Sequence, residues 1–492
     1  MENFIFAFFV IYTGILFLVT WLTSRKATNE TYFTGNRRSP WFVVAYGMIG
    51  ASLSGVTFMS VPGDVANTQF TYFAVVLGYI LGYFAIAFIL LPLYYKLNLV
   101  SIYQFLGTRF DPVAQKSGSM LFIISRMVGS ALRMYLVIYV LQFFIFDAWG
   151  IPIWATAVFM ILIIFLYTFK AGIKTIVWTD LLQTTFLLAA MVLTIYLIHK
   201  EGSWGFSDAF ALMKSEGHTK IFDTDWKSHT HYLKQILGGM FITITMTGLD
   251  QDMMQKNLTC KNLKDAQKNM LTFSGILVVV NAFFLYLGGL LLIYAQNKGI
   301  DLSQLIATGQ TDKIFPTIAL QHLGLGAAAL FVIGLISAGY SSADGTFAAI
   351  TTSFCFDILD MKRWSKGEAH ETRIRRWTHF GMSLVFLAII IVFSQFHNDS
   401  LIRILFKIAG YTYGPILGLF VFGMYSKRKI KRPYYVPIVS IISPTIIYFL
   451  AKMAPIWIGY QFGFELILMN GALTLLLLYL GSYKPEVNQV NS

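Results

Sequence analysis

Five ionisable residues interrupt long apolar stretches of this sequence: Arg126, Arg133, Asp180, Asp250 and Asp344. An isolated charge in hydrocarbon costs roughly 2.5–3.5 kcal/mol even on lenient insertion scales. Each therefore implies a partner: an opposite charge, a cation, a proton or an anionic ligand. Around Asp344 the chain reads Ser337-Ala338-Gly339-Tyr340-Ser341-Ser342-Ala343-Asp344-Gly345. Ala338, Ser341 and Ser342 stand at i, i+3 and i+4, so a helix puts them on one face. Two hydroxyls beside carbonyl oxygens suit a hard monovalent cation such as Na+. The alternative is that the serines bond back to their own helix. Asp180, in Trp178-Thr179-Asp180-Leu181-Leu182-Gln183, is either buried with a partner or close enough to a helix end to reach water. Arg126 and Arg133 are seven apart and share a face. They either attract an anion or pair with buried acids, and Arg126 is read as the pairing one.

Two apolar segments are broken near their midpoints. One reads Gly47-Met48-Ile49-Gly50-Ala51-Ser52-Leu53-Ser54-Gly55-Val56-Thr57, the other Thr243-Ile244-Thr245-Met246-Thr247-Gly248-Leu249-Asp250. Paired small-residue interruptions at matching places in two halves of a chain point to an inverted repeat whose unwound backbone binds ions and substrate. The competing reading is that small residues merely allow close helix packing.

The elements that must position these residues are membrane spans. Of 492 residues, 56% are hydrophobic and only 12% are charged, about half the charged fraction of a soluble domain. Apolar runs of about 20 residues predict crossings near 3–24, 41–65, 70–95, 118–147, 151–170, 174–198, 231–255, 269–296, 325–358, 376–395, 401–425, 433–453 and 457–482. These are helices, because lipid leaves no other partner for the backbone of a single segment; a barrel would show short alternating segments instead. The first run lacks a basic region before it and a cleavage site after it, so it reads as a retained helix.

The net charge of +13 lies in short loops rather than in a nucleic-acid-binding patch. Arg25, Lys26, Arg37 and Arg38 follow the first crossing, and Lys96, Arg109 and Lys116 the third. Lys170 and Lys174 follow the fifth, and Lys256, Lys261, Lys264 and Lys268 the seventh. Lys362, Arg363, Lys366, Arg373, Arg375 and Arg376 follow the ninth, and the 427–432 cluster the eleventh. The intervening loops are poorer in positive charge or carry Asp64, Asp147 or Asp399. The positive-inside rule then places the N-terminus outside and the C-terminus in the cytoplasm. Two longer outer segments remain, 199–230 and 297–324, the second with a short surface helix over 312–323. Cys260 and Cys355 form no metal-ligand or CxxC pattern. Eight histidines and no nucleophile–base cluster within the spans argue against an enzyme.

These residues carry a resemblance. The chain resembles the solute:sodium symporter family, which includes sodium/glucose, proline, iodide and sialic acid transporters. The matching pieces are Tyr32-Phe33-Thr34-Gly35-Asn36-Arg37, Thr57-Phe58-Met59-Ser60-Val61-Pro62, Trp178 to Gln183, Asp250-Gln251-Asp252-Met253-Met254-Gln255-Lys256 and Ala338 to Asp344. The resemblance implies one transmembrane domain over 1–492 with a LeuT-type fold. An additional first helix (3–24) would precede repeat one (41–198) and repeat two (231–425), with extra C-terminal helices over 433–482. It implies Na+ held by carbonyls of Gly50, Leu53 and Ala338 and hydroxyls of Ser341 and Ser342. It implies a second cation site at Asp180, where Asp344 and Gly345 replace the serines of relatives. It also implies solute contacts from Ser52, Ser54, Thr57, Tyr72, Thr243 and Thr247. The arginine that contacts carboxylate in the sialic acid branch aligns with Gly129, one turn before Arg133.

The expected function is alternating-access symport of Na+ with a small solute (a sugar, an amino acid or an organic anion) across a cell membrane. The alternatives are a proton-coupled symporter using Asp180 and Asp344, or a sodium-linked channel or sensor. The partners are solute and lipid bilayer, not nucleic acid.

Overall fold

The computed structural model describes residues 2–25, 27–170, 172–395, 401–460 and 462–484. Lys26 and Asp399 lie outside the described residues. The chain is helical almost throughout; a pair of two-residue strands, Lys429–Ile430 with Ser482–Tyr483, is a small exception to an all-α reading. The principal helices are α1 (Glu2–Ser24), α2 (Trp41–Ser52), α3 (Gly55–Thr68), α4 (Tyr72–Ala85), α5 (Pro112–Leu141), α6 (Ile153–Thr168), α7 (Ile173–Gly202), α8 (Tyr232–Thr243), α9 (Gln251–Asn257), α10 (Leu263–Lys298), α11 (Gly324–Ser353), α12 (Glu368–Phe393), α13 (Leu401–Tyr425), α14 (Tyr435–Ile458) and α15 (Leu466–Leu480).

Among the described residues, eight helices are long and apolar enough to cross a membrane, and the bent pair α2–α3 makes a ninth crossing if it is one span. The two interrupted segments are broken where glycine and hydroxyl residues cluster. The axes of the first turn by 54° at Leu53, whose φ/ψ of −85/76 leaves the helical region. In the second, α8 passes through a wide π-turn over Ile244–Gly248 before α9 restarts at Gln251. Asp250 caps that restart by accepting the Met253 amide at 3.2 Å.

The outer segments hold more structure than expected. Helices run over Phe206–Ser215 and Ser303–Ala307. The helix expected at 312–323 runs over Ile314–Gln321, and it packs inward through Phe315, Ile318 and Ala319 rather than lying on the surface. Helix α12 starts at Glu368, eight residues before the expected crossing, because the charged stretch continues the same helix out of the apolar layer.

Large apolar side chains such as Phe42, Leu81, Val192 and Ile441 face outward. That is the arrangement of a protein whose solvent is hydrocarbon. Without a hydrophobic force between helices, small residues set how closely they approach. Helix α4 lies on α8 through Gly78, where a Cβ would fall 2.9 Å from the Ile236 carbonyl carbon, and Gly239 meets Val75 in the same way. Gly275 faces open space. Gly78→Val should therefore destabilise the purified protein by about 1–3 kcal/mol, the usual cost of overpacking. Gly275→Ala, inside a helix and with room for the methyl group, should hold or raise its melting point.

Candidate functional site

The break in α2–α3 lies against α7 and α11. Gly47 has no side chain because the Asp180 Cβ occupies that space, 2.9 Å from where a Cβ would stand. One turn on, Thr184 Oγ1 accepts the Gly50 amide at 3.0 Å and donates to the Gly47 carbonyl at 3.2 Å. A helix leaves its last carbonyls without intrahelical partners, so ending α2 here leaves polar backbone atoms inside the protein. Across the gap, Ser341 Oγ donates to Asp180 Oδ1 at 2.7 Å. Ser342 Oγ is buried without a hydrogen-bond partner, so it does not bond back to its own helix. Ala338, Ser341 and Ser342 are all buried.

Asp180 does not reach water; it is 1% exposed. Its second oxygen pairs with Lys256 Nζ at 2.8 Å, and that ammonium lies 3.6 Å from Asp252 Oδ1. Asp252 in turn pairs with Arg126, which also reaches Asp250 at 3.4 Å. Tyr413 donates to the same Asp250 oxygen at 2.6 Å. Arg126 is thus the paired arginine. Gly345 lets α11 approach Asp252, whose carboxyl carbon would lie 2.8 Å from a Cβ there. Lys256, read from the sequence as a loop charge, is instead among the most buried large side chains. The helix resumes after the Gly248 break, so the charge that follows it in sequence is carried back into the core.

Asp344 has hydrogen-bond donors but, among the described residues, no Lys, Arg or His within ion-pair distance of its oxygens. Tyr167 OH donates at 3.0 Å, Gln183 Nε2 at 3.2 Å and the Gly345 amide at 2.6 Å. Of the two acids, Asp180 pairs directly with Lys256, while neutral donors meet Asp344.

A cavity opens at the same break. The proposed solute contacts Ser52, Ser54, Thr57 and Tyr72 line it together with Arg133, Thr243 and Thr247. Its volume is about 80 Å³. Gly129 does not reach it, but lines a smaller neighbouring space beside Arg126 and Arg133. Arg133 is 8% exposed and its Nε has no partner among the described residues, nor has Asn281 Oδ1, which also lines the cavity. Tyr79, Tyr83, Asn281 and Arg126 complete the lining. The tyrosines repeat at seven and four residues, which reads equally as packing, and Asn281 stands alone in an apolar run. Tyr72 and Tyr79 join through their hydroxyls at 2.8 Å.

The sequence profile of the sodium:solute symporter family matches residues 32–432. The sodium/sialic acid symporter SiaT of Proteus mirabilis (strain HI4320) is 25% identical over 427 residues, which is 84% of this chain and 83% of that protein. Sodium-coupled monocarboxylate transporter 1 of Mus musculus is 25% identical over 410 residues, 81% of this chain and 64% of that protein. The same fold is seen in the substrate-bound, outward-open structure of a Na+-coupled sialic acid symporter described as revealing a novel Na+ site. That structure superimposes with a TM-score of 0.82 at 22% identity, over 98% of this chain and 99% of that one. A family match across most of the length, on a frame of membrane-crossing helices, settles the class: the chain belongs to the sodium:solute symporter family and carries out sodium-coupled secondary symport of a small solute as a multi-pass membrane protein.

Proposed function

We propose that the driving Na+ sits between the α2–α3 break and α11. The carbonyls of Gly50, Leu53 and Ala338 and the hydroxyls of Ser341 and Ser342 would hold it there. The unpartnered Ser342 hydroxyl supports this reading, because a buried hydroxyl without a bond is costly until something occupies it. The fold is read as a LeuT-type five-plus-five repeat of about 13 transmembrane helices. Residues 41–198 form repeat one and 231–425 repeat two, with 3–24 before them and 433–482 after them. The N-terminus lies outside and the C-terminus in the cytoplasm.

The solute is read as a small organic anion. The observation that carries this is Arg133: a buried guanidinium on the cavity wall, with no carboxylate of the protein on it among the described residues. Arg126 is neutralised by Asp250 and Asp252, which leaves Arg133 to a ligand. Ser52, Ser54, Thr57, Tyr72, Thr243 and Thr247 supply neutral hydrogen bonds around it. Relatives move sialic acid and monocarboxylates, and both carry the group an arginine fork grips.

A second cation is favoured by one observation: Asp344 is a fully buried carboxylate with three donors and, among the described residues, no ion-pair partner. Together with Asp180 it forms a candidate second cation site, for Na+ or for a proton. Uptake measured across pH at fixed Na+ separates the two, since a coupled proton makes transport rise toward acid and a second Na+ does not.

In vesicles, an inward Na+ gradient should drive uptake of N-acetylneuraminate or a short monocarboxylate and leave neutral sugars outside. Arg133→Gln should raise the KM of the anion by about tenfold or more, the loss expected for a charge-assisted bond, without moving the melting point. Saturable, sodium-driven uptake of a neutral sugar alone would refute the anion reading. Ser341→Ala combined with Ser342→Ala should raise the Na+ concentration for half-maximal uptake by about tenfold in protein that still folds. An unshifted sodium dependence would remove these two ligands.

A further inference from the structure

Outside the cavity at the α2–α3 break, one face of α12 is built differently from the rest of that helix. Ala369, Thr372, Arg373, Arg376, Trp377 and Phe380 step by three and one and so form a single stripe. With Phe165 and Phe169 at the end of α6, this stripe lines a groove of about 560 Å³. Its floor is aromatic: Phe165 packs on Phe169 at 5.1 Å and on Phe380 at 5.9 Å, and Trp377 meets Phe380 at 6.1 Å. Its rim is cationic, with the Arg376 guanidinium over the Phe169 ring at 5.5 Å.

The opposite face of α12 is committed to the core. Arg375 stacks on Tyr32, and His379 lies between Tyr32 and Thr168. The neighbouring acid, Glu371, is taken by Lys362 at 3.1 Å. Arg373 and Arg376 are exposed. The surface ion pairs among the described residues, Lys220–Asp223, Lys298–Glu201 and Lys362–Glu371, use neither of them.

We infer that this groove binds an anionic phospholipid, its phosphate on Arg373 and Arg376 and an acyl chain over Phe165, Phe380 and Trp377. Three features favour a lipid over a protein or a soluble anion. The groove opens onto the hydrocarbon-facing flank, where Leu162, Leu166 and Leu384 are exposed, so its apolar floor continues into surface that acyl chains must cover. Two guanidiniums match a phosphate in charge and in fork geometry. Trp377, 69% exposed, has the amphipathic ring that settles at headgroup depth. A free phosphate could use the rim but would leave the aromatic floor bare.

The test is thermal unfolding of the full chain in a neutral detergent with added phosphatidylglycerol, phosphatidylcholine or inorganic phosphate. A ligand bound only to folded protein raises the midpoint. Phosphatidylglycerol should raise it; phosphatidylcholine and inorganic phosphate should not. Arg373→Gln with Arg376→Gln should raise the half-effective concentration of phosphatidylglycerol by about fivefold per guanidinium removed. Lys427→Gln with Lys431→Gln, which removes equal charge elsewhere, should leave it unchanged. Native mass spectrometry of Trp377→Ala gives an independent readout, since that variant keeps both charges and should still lose retained phosphatidylglycerol. Equal stabilisation by phosphatidylcholine, reproduction by inorganic phosphate, equal effects of the two charge pairs, or undiminished retention in Trp377→Ala would each overturn the assignment.

Discussion

Inside hydrocarbon a helix can stop only where other groups take over its unpaired amides and carbonyls. Both interrupted helices of this transporter obey that constraint, in opposite ways. At the second break, protein groups take over the freed carbonyls. Tyr94 donates to the Gly248 carbonyl at 2.8 Å and Tyr103 to the Leu249 carbonyl at 2.7 Å, while Asp250 caps the restart. At the first break, Thr184 holds Gly47 and Gly50, and beyond it lie a cavity and a hydroxyl with no partner. The freed carbonyls of the second break are held by protein, while the first keeps a buried hydroxyl without a partner beside a cavity that residues of both breaks line.

Charge is subject to the same rule. From the Ser341 hydroxyl, the chain of contacts runs through Asp180, Lys256 and Asp252 to Arg126 on the cavity wall. Each member has the next as its counterion or hydrogen-bond partner, and none is more than 4% exposed. Removing one partner from such a pair typically costs about 3–5 kcal/mol because the other charge is left behind. The four helices α5, α7, α9 and α11 are thereby tied together at mid-protein, between the place proposed for Na+ and the place proposed for the solute.

Much of this was legible in the sequence. Glycines and serines located the first break, and threonines with Gly248 the second, because glycine leaves a helix cheaply and hydroxyls can take over backbone bonds. The spacing of Ala338, Ser341 and Ser342 identified a buried face, and the seven proposed solute contacts fall on one cavity. The misses share a cause. Lys256 was counted as a loop charge because charge-counting assumes a continuous helix before it, and the Gly248 break returns the chain to the core. Tyr79 and Tyr83 carry ordinary packing periodicity and Asn281 stands alone in an apolar run, so only the three-dimensional break reveals that they face a cavity. The early start of α12 was hidden because a helix can run on past the apolar layer with charged residues.

The buried charges also bear on why cation and solute would move together. Asp180, Asp250, Asp252 and Asp344 face Lys256, Arg126 and Arg133, four carboxylates against three cations, each at most 8% exposed. In their charged forms these groups leave the site one unit negative, which favours a monovalent cation in a low-dielectric interior. An anionic solute on Arg133 would occupy the cation of this group that has no carboxylate partner among the described residues and add to the deficit, so it would bind best when Na+ is present. By linkage Na+ would then bind best when the anion is present, each tightening the other by the 1–3 kcal/mol typical of coupled sites. A neutral solute would gain nothing from this imbalance. On that reasoning Arg133 belongs to the coupling as well as to recognition, because neutralising its charge with the solute deepens the deficit that already favours the cation.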